Sequence, residues 1–215
     1  LKPMRWATKG TIIAAEEALK GGIAVNLSGG YHHADTEKGE GFCIYSDIGI
    51  AIKTLRYHQY LGEHEKVLIV DLDAHQGQGL ERMFYDDKSI YFFDMYNKDI
   101  YPNDQWAQKR INCNVPLHIG SEDREYLETL NKKLTNFLRR LKDIKLAFYN
   151  AGTDIYKGDP LGGLNISSRG VLERDEFVFE ILTESAIPWV MVLSGGYTQE
   201  SHQLSAESLS YLIRK

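Results

Sequence analysis

Six short runs rich in β-branched and aromatic residues recur along this chain, and stretches with helical spacing separate most of them: Ile23–Ser28, Lys66–Leu72, Ser89–Met95, Ile111–Val115, Lys145–Asn150 and Trp189–Ser194. Several are apolar at successive positions instead of alternate ones, as in Val67-Leu-Ile-Val70 and Val190-Met-Val-Leu193. A strand apolar on both sides must be covered on both sides, which is the pattern of a parallel sheet between helices. Helical spacing over Thr11–Lys20, Ile44–Leu61, Gln78–Tyr85, Glu122–Leu141 and around Arg174–Ser185 supplies the cover. The expected fold is therefore α/β, a single domain over 1–215 with a largely parallel central sheet and helices on both faces.

The remaining composition narrows the function classes. With 43% hydrophobic and 26% charged residues the chain has the makeup of a folded globular protein. A formal net charge of -5 gives no general attraction to nucleic acid or anionic membrane, so no direct nucleic-acid binding is expected. The longest apolar run, Trp189–Leu193, is far too short for a membrane span. Only two cysteines occur, Cys43 and Cys113, without metal-type spacing, and no secretory leader opens the chain. A reduced, cytoplasmic protein is expected, with the nucleus also open in a eukaryote. In the helix over Glu122–Leu141, Leu130, Leu134, Phe137, Leu138 and Leu141 form one stripe, and Lys132, Lys133, Arg139 and Arg140 form a solvated outer face.

In doubly wound sheets ligands bind beyond the carboxyl ends of the strands. The residues just after the apolar runs are accordingly the informative ones. Ile23–Ser28 leads into Gly-Gly-Tyr-His32-His33; Lys66–Leu72 leads into Asp73-Ala-His75; Lys145–Asn150 leads to Asp154; Trp189–Ser194 leads to Gly-Gly-Tyr197. Period-two alternation places Asp71, Asp73 and His75 on one side if the strand stays extended. Asp73, His75 and Asp154 then make a two-carboxylate, one-histidine set with a coordination position to spare, the pattern of a catalytic divalent metal. Zn²⁺ fits, and the oxygen-rich set also admits Fe²⁺, Co²⁺ or Mn²⁺. The tandem histidines suit proton transfer near neutral pH, with Asp71 as a partner. Tyr197, after two glycines, can offer a phenol to a developing oxyanion. His58, His64, His118 and His202 have no such company and receive no role.

The blocks Gly29–Cys43, Val70–Gly79, Ala151–Ser167 and Ser194–Tyr197 together resemble the histone deacetylase family of the arginase–deacetylase superfamily, in that family's order and over most of the chain. The fuller wording, including "MYNKDIYPND" and "YNAGTDIYKGDPLGGL", is most similar to class IV. The resemblance implies one zinc ion per chain on Asp73, His75 and Asp154, with His33 as general base and then general acid. His32 would be its electrostatic partner, oriented by Asp71, and Tyr197 would polarise the scissile carbonyl. Gly41, Phe42, Tyr101 and Leu161 would line the substrate channel, and a K⁺ site is admitted near Asp71, Asp73 and Asp94. The implied substrate is an acyl-lysine peptide or protein, and class IV implies a preference for long acyl chains over acetyl.

Two departures qualify the likeness. Class I enzymes carry an aspartate where this chain has Gln78. Family members also extend ahead of the segment matching Leu1, so a further segment or an additional chain is expected to supply that N-terminal part. Two enzyme alternatives share the superfamily. An acetylpolyamine-type amidohydrolase would use an acidic rim, for which Glu37, Glu40 and Asp104 are available; a ureohydrolase would need two manganese ions and more carboxylates. A third alternative is a truncated, non-catalytic acyl-lysine-binding scaffold.

Overall fold

The computed structural model describes residues 1–215. Along the chain run α1 (Lys2–Gly21), β1 (Ile23–Asn26), α2 (Asp47–Tyr57), β2 (Lys66–Asp71), α3 (Gln78–Met83), β3 (Ile90–Asn97), β4 (Cys113–Leu117), α4 (Asp123–Leu138), β5 (Ile144–Asn150), α5 (Ser168–Glu184), β6 (Trp189–Val192) and α6 (Ser201–Ile213). The strands pair in the order β1-β6-β5-β2-β3-β4, and every pairing is parallel. No helix is long and apolar enough to cross a membrane.

The unbroken apolar runs are explained by where each side of a strand points. Along β2, Val67 and Ile69 join Ala15, Ile48, Ile52 and Leu55 of α1 and α2 in one core. Leu68 and Val70 join Tyr126, Leu130, Val171 and Val178 of α4 and α5 in the other. Strands β5 and β6 divide the same way: Phe148 and Val190 face α1 and α2, while Ala147 and Met191 face α4 and α5. All of these strand residues are fully or almost fully buried. At roughly 25 cal/mol per Å² of apolar surface, the two-sided burial is the main favourable term holding the layers together.

The order of strands decides where a site can form. From β2 the chain steps outward through β3 to β4, then returns to place β5 on the opposite flank of β2 and continues to β6. The direction of winding reverses between β2 and β5, and the crevice beyond their carboxyl ends is the switch point at which such sheets bind ligands.

Four elements differ from the expected pattern, the first being α1, which starts at Lys2 and not at Thr11. The strand expected at Ile111–Val115 lies at Cys113–Leu117. Asn112 is held by its side chain, whose Oδ1 accepts from Phe92 N at 2.9 Å, so regular pairing starts one residue later. Pro116 is tolerated there because β4 is an edge strand. Helix α5 starts at Ser168, earlier than Arg174, since Ser167 caps it by accepting from Gly170 N at 3.0 Å. Helix α6 was not foreseen: only Leu204 and Ser208 of it are buried, so its apolar spacing is sparse.

One buried carboxylate fixes the loop after β1. Asp47, at the start of α2, accepts from Thr11 Oγ1 of α1 at 2.6 Å and from the backbone N–H groups of Gly30 and Tyr31 at 3.1 and 2.8 Å. Asp47→Ala is expected to lower the unfolding free energy by about 2–4 kcal/mol in chemical denaturation, because it strands three donors away from water. A loss under about 1 kcal/mol would mean the loop is held by something else.

Candidate active site

Strand parity puts the first site residues in place. Asp71 closes β2 on the side of Val67 and Ile69, and its register partner Asn150 closes β5 on the side of Leu146 and Phe148. The loop after β1 descends onto that same side, pinned by Ser194 N donating to Gly29 O at 3.1 Å and Leu80 N donating to His32 O at 3.1 Å. His32 Nδ1–H therefore donates to Asp71 Oδ2 at 2.8 Å. Asn150 Nδ2 donates to Asp71 Oδ1 at 2.9 Å and so orients the carboxylate that receives the imidazole.

The metal-type triad comes together by a different route from the one the sequence suggested. Strand β2 ends at Asp71, so Asp73 and His75 are not carried on an extended strand. The chain turns instead, with Asp73 N donating to Asp71 Oδ1 at 3.2 Å and His75 N to Asp73 Oδ1 at 2.9 Å. These side-chain-capped turns swing His75 Nδ1 to 3.0 Å from Asp73 Oδ1 and 2.9 Å from Asp154 Oδ2. One ligand atom from each of Asp73, His75 and Asp154 lies within 4.8 Å of the others, and all three residues are buried. Asp73 Oδ2 also accepts from Ser194 Oγ at 2.8 Å and Gly195 N at 2.9 Å, and Asp154 Oδ1 from Ala74 N at 2.9 Å. A Cβ on Gly195 would stand 2.5 Å from Asp154 Oδ2 and 2.7 Å from Asp73 Oδ2, so the glycine leaves the triad its space.

The electrostatics are those of a cluster short of positive charge. Burial and the neighbouring Asp73 push the Asp154 carboxyl up to about 7. Burial opposes charge on Asp73 too, but His32 and His75 hold it well below the usual carboxylate range. Burial alone would lower His75; the hydrogen bonds to Asp154 and Asp73 raise it to about 10. His32 is likewise disfavoured by burial and lifted to about 9 by Asp71 and Asp73. His33 goes the other way: burial and the charge on His32 push it down to about 3. The Nε2 atoms of the two histidines are 3.2 Å apart. With Gln78 Oε1 accepting from His33 Nδ1–H at 2.7 Å, the His33 Nε2 lone pair is the basic one and faces the His32 proton.

Of the residues expected to line a channel, Gly41 and Tyr101 lie against His33. Gly41, at φ 49°, packs so tightly that a Cβ would fall 2.3 Å from His33 Cδ2, and only glycine accepts both that conformation and that contact. Phe42 is exposed, with its ring 6.0 Å from that of Tyr197; the Tyr101 ring is 5.2 Å from that of His33. Asp159 joins the remaining two loops, accepting from Tyr197 N at 2.7 Å and Leu161 N at 2.9 Å. Burial and the nearby carboxylates raise the Tyr197 phenol, so it keeps its proton. Asp94 stands beside Asp71 across the β2–β3 register; its Oδ1 and Glu81 Oε1 are buried without a donor. Burial together with Asp71 and Glu81 pushes the Asp94 carboxyl well up.

Asn150, Ser194 and Asp159 escaped the sequence reading of the site. Each stands inside or beside a recognised block, Asn150 as the polar end of an otherwise apolar strand, but their partners appear only once strands are paired. Of the acidic rim, Glu40 and Asp104 both meet Arg82, at 2.8 and 2.5 Å, leaving Glu37 without an ion pair. His118 pairs with Asp99 at the surface, away from the triad.

A cation entering the triad must displace the proton on His75. Zn²⁺ or Co²⁺ uptake at pH 7 is expected to release between about one and two protons, one from His75 and a fraction from Asp154, measured by calorimetry in buffers of differing ionisation enthalpy. Uptake without proton release would remove His75 from the ligand set. In the metal-free protein the same proton adds stability below the ordinary imidazole value of 6.5, and that contribution is lost as pH rises through about 10.

Comparison with known proteins agrees with the fold. The family described as Histone deacetylase domain matches residues 1–212. Histone deacetylase 2 of Arabidopsis thaliana is 43% identical over the whole of this chain, which spans 54% of that protein's length. Among solved structures, an HDAC homologue from Aquifex aeolicus aligns over 100% of this chain and 56% of its own, with a TM-score of 0.80 and 26% identity. The acetylpolyamine aminohydrolase of Burkholderia pseudomallei aligns over 96% of this chain and 60% of its own, with a TM-score of 0.80 and 25% identity.

Proposed function

Because the chain belongs to the histone deacetylase family, we propose that it hydrolyses N-acyl-lysine amides with one divalent metal, zinc foremost, held by Asp73, His75 and Asp154. The observation that carries this reading is the convergence, beyond the carboxyl ends of the strands, of that triad with the His32–His33 pair and Tyr197. The donor set fits such an ion: two carboxylates and one imidazole, buried, converging, and kept clear by Gly195. When bound there, the cation supplies Lewis-acid chemistry to water and to an amide carbonyl.

The chain's own groups then divide the proton work. His33 is neutral, its Nδ1–H committed to Gln78, so a proton from water can enter only at Nε2, in place of the contact with the His32 N–H. Once protonated it sits 3.2 Å from the charged His32, and that repulsion makes it a ready donor to the departing lysine amine. His32 stays charged because Asp71 accepts its Nδ1–H and Asp73 lies close to its other nitrogen. Tyr197, protonated and fixed through its backbone to Asp159, is a donor for the oxyanion. Gly41, Phe42, Tyr101 and Leu161 form the walls that receive the lysine stem. The unpartnered oxygens of Asp94 and Glu81 support either a shared proton or the K⁺ expected beside Asp71.

Likeness to an acetylpolyamine aminohydrolase keeps a small cationic amide as the second reading. The Arg82 guanidinium argues against it, since Glu40 and Asp104 are already neutralised there. The class IV wording places acetyl, octanoyl and myristoyl groups among the acyl chains to try.

The test is hydrolysis of acetyl-, octanoyl- and myristoyl-lysine peptides, with acetylpolyamines alongside, by purified protein of full metal occupancy. Turnover of at least one peptide is expected, and Tyr197→Phe should lower kcat by about 10²- to 10³-fold. Peptide binding without turnover would establish the scaffold instead.

A further inference from the structure

Arg174 of α5 is wholly buried, yet none of the proton steps uses it. Its guanidinium lies on the α4–α5 side of the sheet, below the ends of β2 and β5. There the chain has left the ladder, and three backbone carbonyls have no further strand to pair with. Nη1 donates to Leu72 O at 3.3 Å and Gly152 O at 2.5 Å, and Nη2 to Ala151 O at 3.4 Å. Leu72 directly precedes Asp73, and Gly152 lies two residues ahead of Asp154. The guanidinium thus grips the two segments that carry the carboxylates of the triad.

Its own orientation is fixed from two other elements. Nε donates to Asp175 Oδ1 at 2.8 Å, and Asp175 also accepts from Tyr149 Oη of β5 and from Ser208 Oγ of α6. Replacing a buried ion pair by well-packed apolar side chains is often neutral or stabilising, so fold stability alone gives little reason for this one. A lysine could supply the charge but not the planar fork that reaches carbonyls on two strands.

We propose that Arg174 is a positioning residue for the metal site, setting the spacing of Asp73 and Asp154 by clamping the backbone behind each. The inference rests on the triad of the proposed function and is independent of its substrate.

The experiment measures Zn²⁺ and Co²⁺ affinity by chelator competition, and the Co²⁺ d–d spectrum, in wild type, R174K, R174Q/D175N and S208A. R174K keeps the charge and loses the fork; R174Q/D175N removes both buried charges together. Both are expected to bind metal about 10- to 100-fold more weakly, with a shifted Co²⁺ spectrum, while remaining folded by near-ultraviolet circular dichroism. S208A loosens Asp175 from α6 without touching the fork and is expected to keep wild-type affinity and spectrum. Folded R174K or R174Q/D175N with wild-type affinity and spectrum overturns the proposal, as does equal weakening in S208A. Failure of both arginine variants to fold assigns Arg174 to the core and overturns it too. A wild-type protein that takes up no metal overturns the metal-dependent reading itself, and this one with it.

Discussion

Two carboxylates, Asp73 and Asp154, both reach a single imidazole nitrogen, at 3.0 and 2.9 Å, and both are almost wholly buried. Buried like charges at such range cannot both ionise unless the surroundings are built for it. Much of the neighbouring structure answers that constraint. Ser194 and the amides of Ala74 and Gly195 donate to the pair, Gly195 gives up any side chain, and the charged His32 leans toward Asp73 at 3.6 Å. What these donors leave uncompensated is relieved by a proton on His75 in the bare protein, and a divalent cation would take over that duty. The sheet's winding reversal between β2 and β5 is what makes the meeting possible, because there the ends of two strands that do not follow one another in the chain open side by side.

The same constraint sets the character of the histidine pair. Positive charge drawn toward Asp71 and Asp73 settles on His32, whose Nδ1 has a carboxylate partner. His33, next to that charge and facing an amide, stays neutral. Two adjacent residues of one type thus acquire opposite protonation from their partners alone, and the roles of charge holder and proton carrier follow from that split.

Much of this was legible in the sequence because it rests on local pattern. Runs apolar at successive positions required a sheet covered on both faces, and in the fold Val67 and Ile69 do face one core and Leu68 and Val70 the other. Polar residues gathered after the strands marked the site edge. What failed was geometry that depends on where a strand stops. Asp71, Asp73 and His75 were placed on one face by alternation, whereas β2 ends at Asp71 and two side-chain-capped turns do the rest. Asn150 and Arg174 were illegible for a related reason. An asparagine at a strand end and an arginine in an amphipathic helix are ordinary in sequence; register alone shows the first beside Asp71, and packing alone shows the second under Leu72 and Gly152.

Gln78 is where sequence and structure together say most. Read as a departure from class I, it removes a charge from behind His33. In the fold its amide is also oriented: Nε2 donates to Tyr101 Oη at 3.1 Å and toward Glu40 at 3.4 Å, which turns Oε1 onto His33. Glu40 is itself held by Arg82 and Lys38 at the rim. A carboxylate at this position would add a further negative charge to a cluster already rich in them and would raise His33 toward the protonated form. The amide instead fixes the same tautomer without that charge. His33 therefore remains a neutral acceptor beside a charged His32, and the neutral partner completes the site's protonation pattern.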